Sequence, residues 1–217
     1  MRSNFSCCVS GSGSVAGFAC QLSAPEAVDF SGEPDHVKAL YGIGENETEE
    51  FGKQLLLARR LAERGVRFIQ ICHAGGGNGA WDSHGDMKTH GPLCRATDKP
   101  IAGLIKDLKQ RGMLDETLVV WTSEFGRTPW SQNTTGRDHN PKGYTSWMAG
   151  GGIKGGIVHG GTDEVGYKAV DSPHYYSDLH ATILHQVGLD PKKMKVEALG
   201  RTMKLVEEGG PIKEIIS

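Results

Sequence analysis

Two short segments of the chain combine carboxylates with imidazoles at spacings that suit a divalent metal ion. Asp82 and His84 are two residues apart in WDSHGD, and Asp138 and His139 are adjacent in GRDHNP. Carboxylate oxygens and imidazole nitrogens together are ligands for ions such as zinc or manganese. Side chains two residues apart in an extended loop point the same way, so Asp82 and His84 could share one ion.

These two segments also have simpler interpretations when each is taken alone. An Asp–His pair in a loop commonly forms only a solvated hydrogen bond, and the residues around Asp138 favour a turn. Within the second segment, His139 is the better ligand candidate. Asp138 could instead orient His139 without binding the metal itself.

A third candidate segment is TSEFGRTP, in which Glu124 follows a short β-rich run. A carboxylate at that position is well placed to bind a metal or to act as a general base. Arg127, three residues further on, could hold an oxyanion through paired hydrogen bonds. An ion pair between Glu124 and Arg127 that orders the loop explains the same residues equally well.

The sequence pattern predicts which elements position these segments. Apolar residues at spacings of three and four predict helices over residues 48–64, 94–111 and 177–187. Short β-rich runs predict buried strands over residues 66–72, 117–122 and 144–149. Strands that alternate with helices favour an α/β fold with a largely parallel sheet, whose sites form beyond the carboxyl ends of the strands. We therefore expect the candidate segments to meet at one edge of such a sheet.

Composition and charge limit the classes of partner. The chain has 217 residues, with 24 Lys and Arg against 26 Asp and Glu, so its net charge is -2. This balance lacks the basic footprint of proteins that bind nucleic acid. No apolar run approaches the roughly 18 residues that a transmembrane helix requires. The sequence GGGIKGG at 150–156 lacks the order of a P-loop, so a close backbone turn is expected there rather than a nucleotide site.

Taken together, WDSHGD, LVVWTSEFGRTP, GRDHNP and WMAGGGIKGG resemble the DUF1501 family over residues 22–217. The resemblance implies membership of the alkaline phosphatase–sulfatase superfamily. The implied fold is an α/β three-layer sandwich with a largely parallel sheet, incomplete in this chain. Residues 1–21 are small, polar and glycine-rich with no helix or strand period, so we expect a disordered or non-native leader there. The resemblance implies that residues 22–217 are the C-terminal part of the domain.

The resemblance also implies site residues and a cofactor. One divalent metal (zinc, calcium or manganese) is expected on Asp82, His84 and His139. A second metal in the superfamily uses an Asp–His pair after a strand, and here Glu124 and a phenylalanine stand in that place. Arg127 or Arg137 would stabilise negative charge on the transferred group.

The implied function is metal-dependent hydrolysis of a sulfate or phosphate ester, on a small molecule or a polysaccharide, by an exported or periplasmic protein. No nucleophile motif is recognisable in residues 1–21, so a truncated form that lacks the nucleophile half is expected. The alternative is a catalytically silent metal-binding or interaction module of the cell envelope. Sheet edges exposed by the missing half would then favour self-association.

Overall fold

The computed structural model describes residues 26–73 and 81–217. The chain forms two compact units, an N-terminal unit that ends at Gly112 and a C-terminal unit that begins at Met113. The expected leader, residues 1–21, lies outside the described residues.

The N-terminal unit is helical in its described part. Its helices are α1 (Asp35–Leu40), α2 (Glu49–Glu63) and α3 (His90–Gln110), and a 3-10 turn at Met87–Thr89 leads into α3. Residues 26–28 are also helical. The helices predicted over 48–64 and 94–111 are confirmed as α2 and α3. Helix α3 begins earlier than the apolar pattern indicates, because its first turn has no buried face to reveal it.

The core of the N-terminal unit joins α1 and α2. It comprises Val37, Tyr41, Phe51, Leu55 and Leu56. Two helical glycines allow the end of α1 to come close to its neighbours. A Cβ atom on Gly52 of α2 would lie 2.3 Å from the Tyr41 carbonyl oxygen, and one on Gly103 of α3 would lie 2.4 Å from that of Leu40. Both contacts are too short for any side chain, so the packing requires glycine at both positions.

Beside this core, the N-terminal unit buries a network of charged side chains around Arg59. Its guanidinium contacts Glu33 at 2.7 Å, Glu63 at 2.6 Å and Asp107 at 3.0 Å. The Tyr41 hydroxyl donates a hydrogen bond to Asp107. Burial by itself lowers the pKa of Arg59, but the hydrogen bonds to Glu33 and Glu63 outweigh it and raise the pKa above its usual range.

The C-terminal unit combines one α-helix, α4 (Tyr176–Gln186), with four two-stranded antiparallel sheets. The paired strands are β1 (Val119–Trp121) with β4 (Trp147–Ala149), β2 (Gly126–Arg127) with β3 (His139–Asn140), β5 (Gly161–Thr162) with β6 (Ala169–Asp171), and β7 (Lys195–Ala198) with β8 (Arg201–Lys204). Short 3-10 turns lie at Leu114–Glu116 and Lys213–Ile215. The helix predicted over 177–187 is confirmed as α4.

The expected α/β sandwich of the alkaline phosphatase type, with a largely parallel sheet, is wrong for this chain. Residues 66–73 have no regular secondary structure, and Phe68 is 76% exposed, so the first predicted strand does not form. The runs 117–122 and 144–149 do contain strands, but Val119 lies opposite Ala149 in an antiparallel pair. Apolar periodicity predicts an extended conformation and says nothing about the partner or its direction. A parallel pair also needs a long crossover, usually helical, and no helix lies between β1 and β4.

The glycine run at 150–152 forms the expected close backbone turn. All three residues have positive φ, of 70°, 51° and 78°. The Gly151 N–H donates to the Leu114 carbonyl at 3.0 Å, and Gln186 donates to the Gly151 carbonyl at 2.7 Å. The turn therefore fastens the end of β4 to the start of the unit and to α4.

The longest helix of the described residues, α3, has 21 residues and carries several charged side chains. No helix in the described part of the chain is long and apolar enough to span a membrane.

Candidate metal site

Asp82 and His84 form a close pair on the loop that precedes α3. Asp82 Oδ1 lies 3.0 Å from His84 Nε2, and the two side chains are 41% and 35% exposed. Two ligand atoms on a tetrahedral zinc ion, each about 2.0–2.1 Å from the metal, are about 3.3 Å apart. The observed separation therefore suits a hydrogen bond and is also within a few tenths of an ångström of shared metal ligation.

Trp81 anchors this loop through its side chain and its backbone. The indole Nε1–H donates to His73 Nδ1 at 2.9 Å, and the backbone carbonyl oxygen of Trp81 lies 3.0 Å from His90 Nε2. Because Nδ1 of His73 accepts the indole proton, this ring is held in its neutral form, and burial lowers its pKa in the same direction. His73 and His90 thus hold the loop in place next to the Asp82–His84 pair.

Side-chain hydrogen bonds fix the other end of the loop. Asp86 Oδ1 accepts from the Lys88 N–H at 3.0 Å and caps the 3-10 turn. The hydroxyl groups of Ser83 and Thr89 lie 2.6 Å apart, and Thr89 also donates to the Asp86 carbonyl. Ser83 is buried although its neighbour Asp82 is exposed. The loop therefore turns one side chain inward and leaves the carboxylate accessible.

In the C-terminal unit, the β2–β3 pair carries His139 and Arg127 opposite each other. Phe125, just before β2, contacts both. Its ring centroid lies 4.0 Å from that of His139 and 5.9 Å from the Arg127 guanidinium carbon. Asp138 Oδ1 accepts from the backbone N–H of His139 at 2.8 Å. The register and the phenylalanine ring together fix how His139 is presented.

The sequence predicts Asp82, His84 and His139 as ligands of one ion. Asp82 and His84 form a close pair in the N-terminal unit, and His139 lies on β3 of the C-terminal unit. A carboxylate oxygen with two imidazole nitrogens is a set that zinc accepts readily. Calcium prefers oxygen ligands throughout, so the donor types favour a transition metal over calcium.

A family model described as "Protein of unknown function (DUF1501)" matches residues 14–216. The chain belongs to the DUF1501 family. No curated protein and no solved structure matches it. The resemblance to DUF1501 is therefore confirmed, while the place of the family in the alkaline phosphatase–sulfatase superfamily stays a prediction.

Two predicted site residues of this DUF1501 chain, Glu124 and Arg137, form hydrogen bonds with residues of their own loops. Glu124 is exposed, and its Oε2 accepts from Ser123 Oγ at 3.1 Å. Arg137 folds back on its own loop, where Nη1 donates to the Gly136 carbonyl at 2.9 Å and approaches the carbonyl of Thr135 and the hydroxyl of Ser131. A metal-binding role for Glu124 and a catalytic role for Arg137 stay predictions.

Sequence reasoning underrated one residue of the hairpin, Asn140. Its side chain is 1% exposed, and its Nδ2 donates to the Tyr167 carbonyl at 2.8 Å. Its Oδ1 accepts from the Lys142 N–H at 3.1 Å. Asn140 thus ties the end of β3 to a distant loop. The only sequence signal was its turn preference, which cannot reveal a partner 27 residues away.

Proposed function

We propose that this chain is a metal-dependent domain that hydrolyses sulfate or phosphate esters, with Asp82, His84 and His139 as ligands of one divalent ion. The observation that carries the proposal is the Asp82–His84 pair, whose ligand atoms are already 3.0 Å apart on an anchored loop. Because the loop is held by Trp81 and by Ser83, the two ligands lose little conformational freedom when they bind a metal.

The donor set fits zinc or manganese, with zinc as the better match for two imidazoles. When bound, such an ion polarises an ester oxygen and lowers the pKa of a coordinated water. The chain would supply the remaining contacts. His139 and Arg127 are cross-strand neighbours, so a guanidinium lies beside a ligand and can hold an anionic oxygen of the ester.

The second candidate is a metal-binding module of the cell envelope without catalytic activity. The observation that favours it is the arrangement of Arg137, whose guanidinium donates to acceptors of its own loop. Arg127 also has a backbone acceptor, since its Nη1 donates to the Arg137 carbonyl at 3.2 Å. The two functions share the metal site and differ in turnover.

The test measures zinc binding first and turnover second, on the full chain. Asp82→Asn and His84→Asn are compared with His36→Asn, which changes an exposed histidine of α1. We expect the two ligand variants to weaken zinc binding at least about tenfold and the control to bind as the wild type does. Equal zinc binding in all of these variants would contradict the metal site.

Turnover is then measured with aryl sulfate and aryl phosphate esters in the presence of zinc or manganese. We expect the wild-type chain to hydrolyse one of these esters, and we expect Arg127→Ala to lower kcat about 10²–10³-fold. That is the range for removal of one charge-stabilising donor. Zinc binding without hydrolysis of either ester would support the silent module and reject the hydrolase.

A further inference from the structure

We propose that His159 and His174 form a second transition-metal site, contained in the C-terminal unit and sharing no ligand with the site above. Their Nε2 atoms face each other at 2.8 Å. The two rings are stacked, with centroids 5.1 Å apart and an interplanar angle of 28°. Two imidazole nitrogens that converge on one point at the protein surface are the usual start of a zinc, nickel or copper site.

The β5–β6 hairpin brings the two histidines together. His159 precedes β5 by two residues, His174 follows β6 by three, and Gly161 lies opposite Asp171 in the register. Gly160 has a φ of 79°, and a Cβ atom there would lie 3.1 Å from the Asp171 carbonyl oxygen. The backbone therefore approaches closely at the base of the pair, which limits how far the two rings can separate.

We assign the tautomers from a nearby carboxylate. Asp178 Oδ2 lies 3.7 Å from Nδ1 of His174, an electrostatic contact longer than a hydrogen bond. A neutral imidazole carries one proton, and the carboxylate favours that proton on Nδ1. With the proton on Nδ1, Nε2 of His174 carries a lone pair that accepts a hydrogen bond from the Nε2–H of His159. His174 is thus already in the tautomer that a metal ligand bound through Nε2 requires.

The carboxylate of Asp178 is itself fixed. Oδ2 accepts from the Tyr175 N–H at 2.9 Å, and Oδ1 accepts from the Gly210 N–H at 3.0 Å. A Cβ atom on Gly209 would lie 2.1 Å from Oδ1, so only glycine leaves room for this arrangement. A carboxylate that orients the far nitrogen of a ligating histidine is a recurrent feature of zinc sites, where it also makes the ligand more basic.

Metal binding requires only small movements. The two nitrogens must separate from 2.8 Å to the roughly 3.3 Å expected at a tetrahedral ion. The proton of His159 moves from Nε2 to Nδ1, so both rings stay neutral and no other group is needed to accept it. The His174 side chain is 31% exposed, so water can fill the remaining positions around the ion.

The test titrates the full chain with zinc ions alone and counts the zinc bound by equilibrium dialysis. His159→Ala and His174→Ala each remove one proposed ligand. His185→Ala is the matched control, because His185 is an exposed histidine on α4. We expect each ligand variant to lose one equivalent of zinc, or to bind it at least about tenfold more weakly. The control should keep the wild-type stoichiometry.

Equal zinc binding by His159→Ala, His174→Ala and His185→Ala would overturn the proposal and leave the histidine contact as a hydrogen bond. Asp178→Asn tests the positioning role. It should weaken zinc binding about tenfold. The thermal midpoint of the zinc-free variant is measured as well, so that a loss of affinity is separated from a loss of stability. A loss of thermal stability with no change in zinc affinity would show that Asp178 is purely structural.

Nuclear magnetic resonance of the ring nitrogens tests the site in the wild-type chain, without relying on a variant that could misfold. Zinc should shift the Nε2 resonances of His159 and His174 and leave those of His185 unchanged. Unchanged resonances of His159 and His174 at saturating zinc would reject the site.

The outcome is separable from that of the proposed function. Loss of a zinc equivalent in Asp82→Asn but not in His159→Ala would reject the His159–His174 site alone. The reverse pattern would support this site and reject the ligand set on Asp82, His84 and His139. Two equivalents lost by separate variants would support both.

Discussion

In the N-terminal unit, long side chains from α2, from α3 and from Glu33 before α1 meet around Arg59 beside an apolar core. The C-terminal unit relies on strands of two to four residues closed by turns. The buried charges of the first unit pair with one another, and among the described residues Nε of Arg59 has an ion-pair contact to Asp107 without a hydrogen bond. Many contacts of the second unit are backbone hydrogen bonds or side chains bonded to the backbone, as with Asn140 and Gln186.

This difference explains how each unit positions its candidate residues. The Asp82–His84 loop is held by side chains, with the indole of Trp81 bonded to His73. His139 is held by backbone register, opposite Arg127, with Phe125 packed against its ring. The loop of the first unit should therefore respond to changes in side chains, and the hairpin of the second to changes in its backbone contacts.

The largest effect is expected from Arg59→Met. This change removes one of the two arginines paired with each of the buried carboxylates Glu33 and Asp107, and loss of one partner from a buried ion pair costs about 3–5 kcal/mol. Lys53→Met is the control, since the Lys53–Glu49 pair on α2 is close to half exposed. It should change the free energy of unfolding by no more than about 0.5 kcal/mol.

Urea unfolding followed by far-UV circular dichroism checks this prediction. Combining Arg59→Met with Glu33→Gln should recover part of the loss, because the second change removes a buried carboxylate that has lost one of its two arginines. If Arg59→Met costs no more than Lys53→Met, the charged network does not stabilise the N-terminal unit.

A smaller effect is expected from Asn140→Ala in the C-terminal unit. The change removes the donor to the Tyr167 carbonyl, and an unsatisfied buried partner costs about 1–3 kcal/mol. Thr162→Ala, at an exposed position of β5, should stay within about 0.5 kcal/mol of the wild type. Hydrogen exchange at the backbone amides of residues 138–140 and 142 is the readout. Equal protection of these amides in both variants would argue that backbone pairing alone holds the hairpin.

The smallest effect is a pH dependence that Glu33 confers on the N-terminal unit. Burial raises the pKa of Glu33, but hydrogen bonds from Arg59 and Arg60 outweigh it and hold the pKa below its usual value. The unfolded chain therefore binds this proton at a higher pH than the folded chain does. The stabilisation is fully present above the unfolded pKa of about 4.3 and is lost as pH falls through the folded pKa.

Glu33→Gln removes this titration. Between about pH 5 and pH 3, the slope of the unfolding free energy against pH should therefore be shallower, by up to about 1.4 kcal/mol per pH unit for one proton. Asp190→Asn is the comparison, because a hydrogen bond from Lys193 also lowers the pKa of that exposed aspartate. Its slope should match the wild type, since solvent screens an exposed pair. Equal slopes in the wild type, Glu33→Gln and Asp190→Asn would show that Glu33 does not contribute to the pH dependence of stability.

The sequence predicted the helices better than the sheets. Helices α2, α3 and α4 were found because their hydrogen bonds are local and their apolar spacing reflects one buried face. The strands at 117–122 and 144–149 were also found, yet their antiparallel pairing was missed. Residues 66–72 have the composition of a strand and form none, because a strand exists only where a partner supplies the other half of its hydrogen bonds.

The candidate residues divide in the same way. The spacing of Asp82 and His84 was enough to predict that their side chains meet, because two residues of one loop are already close. The pairs His159–His174 and Arg59–Asp107 join residues 15 and 48 positions apart, and no local pattern predicts either.

The sequence by itself determined the family, the three main helices, the glycine turn at 150–152 and the identity of the candidate metal donors. Each of these depends on residue type or on neighbours within a few positions. Only the tertiary structure decided the antiparallel pairing, the buried network around Arg59 and the contact between His159 and His174. These arise when segments far apart in sequence come together, and the free energy that selects them comes from burial and hydrogen bonding between those segments.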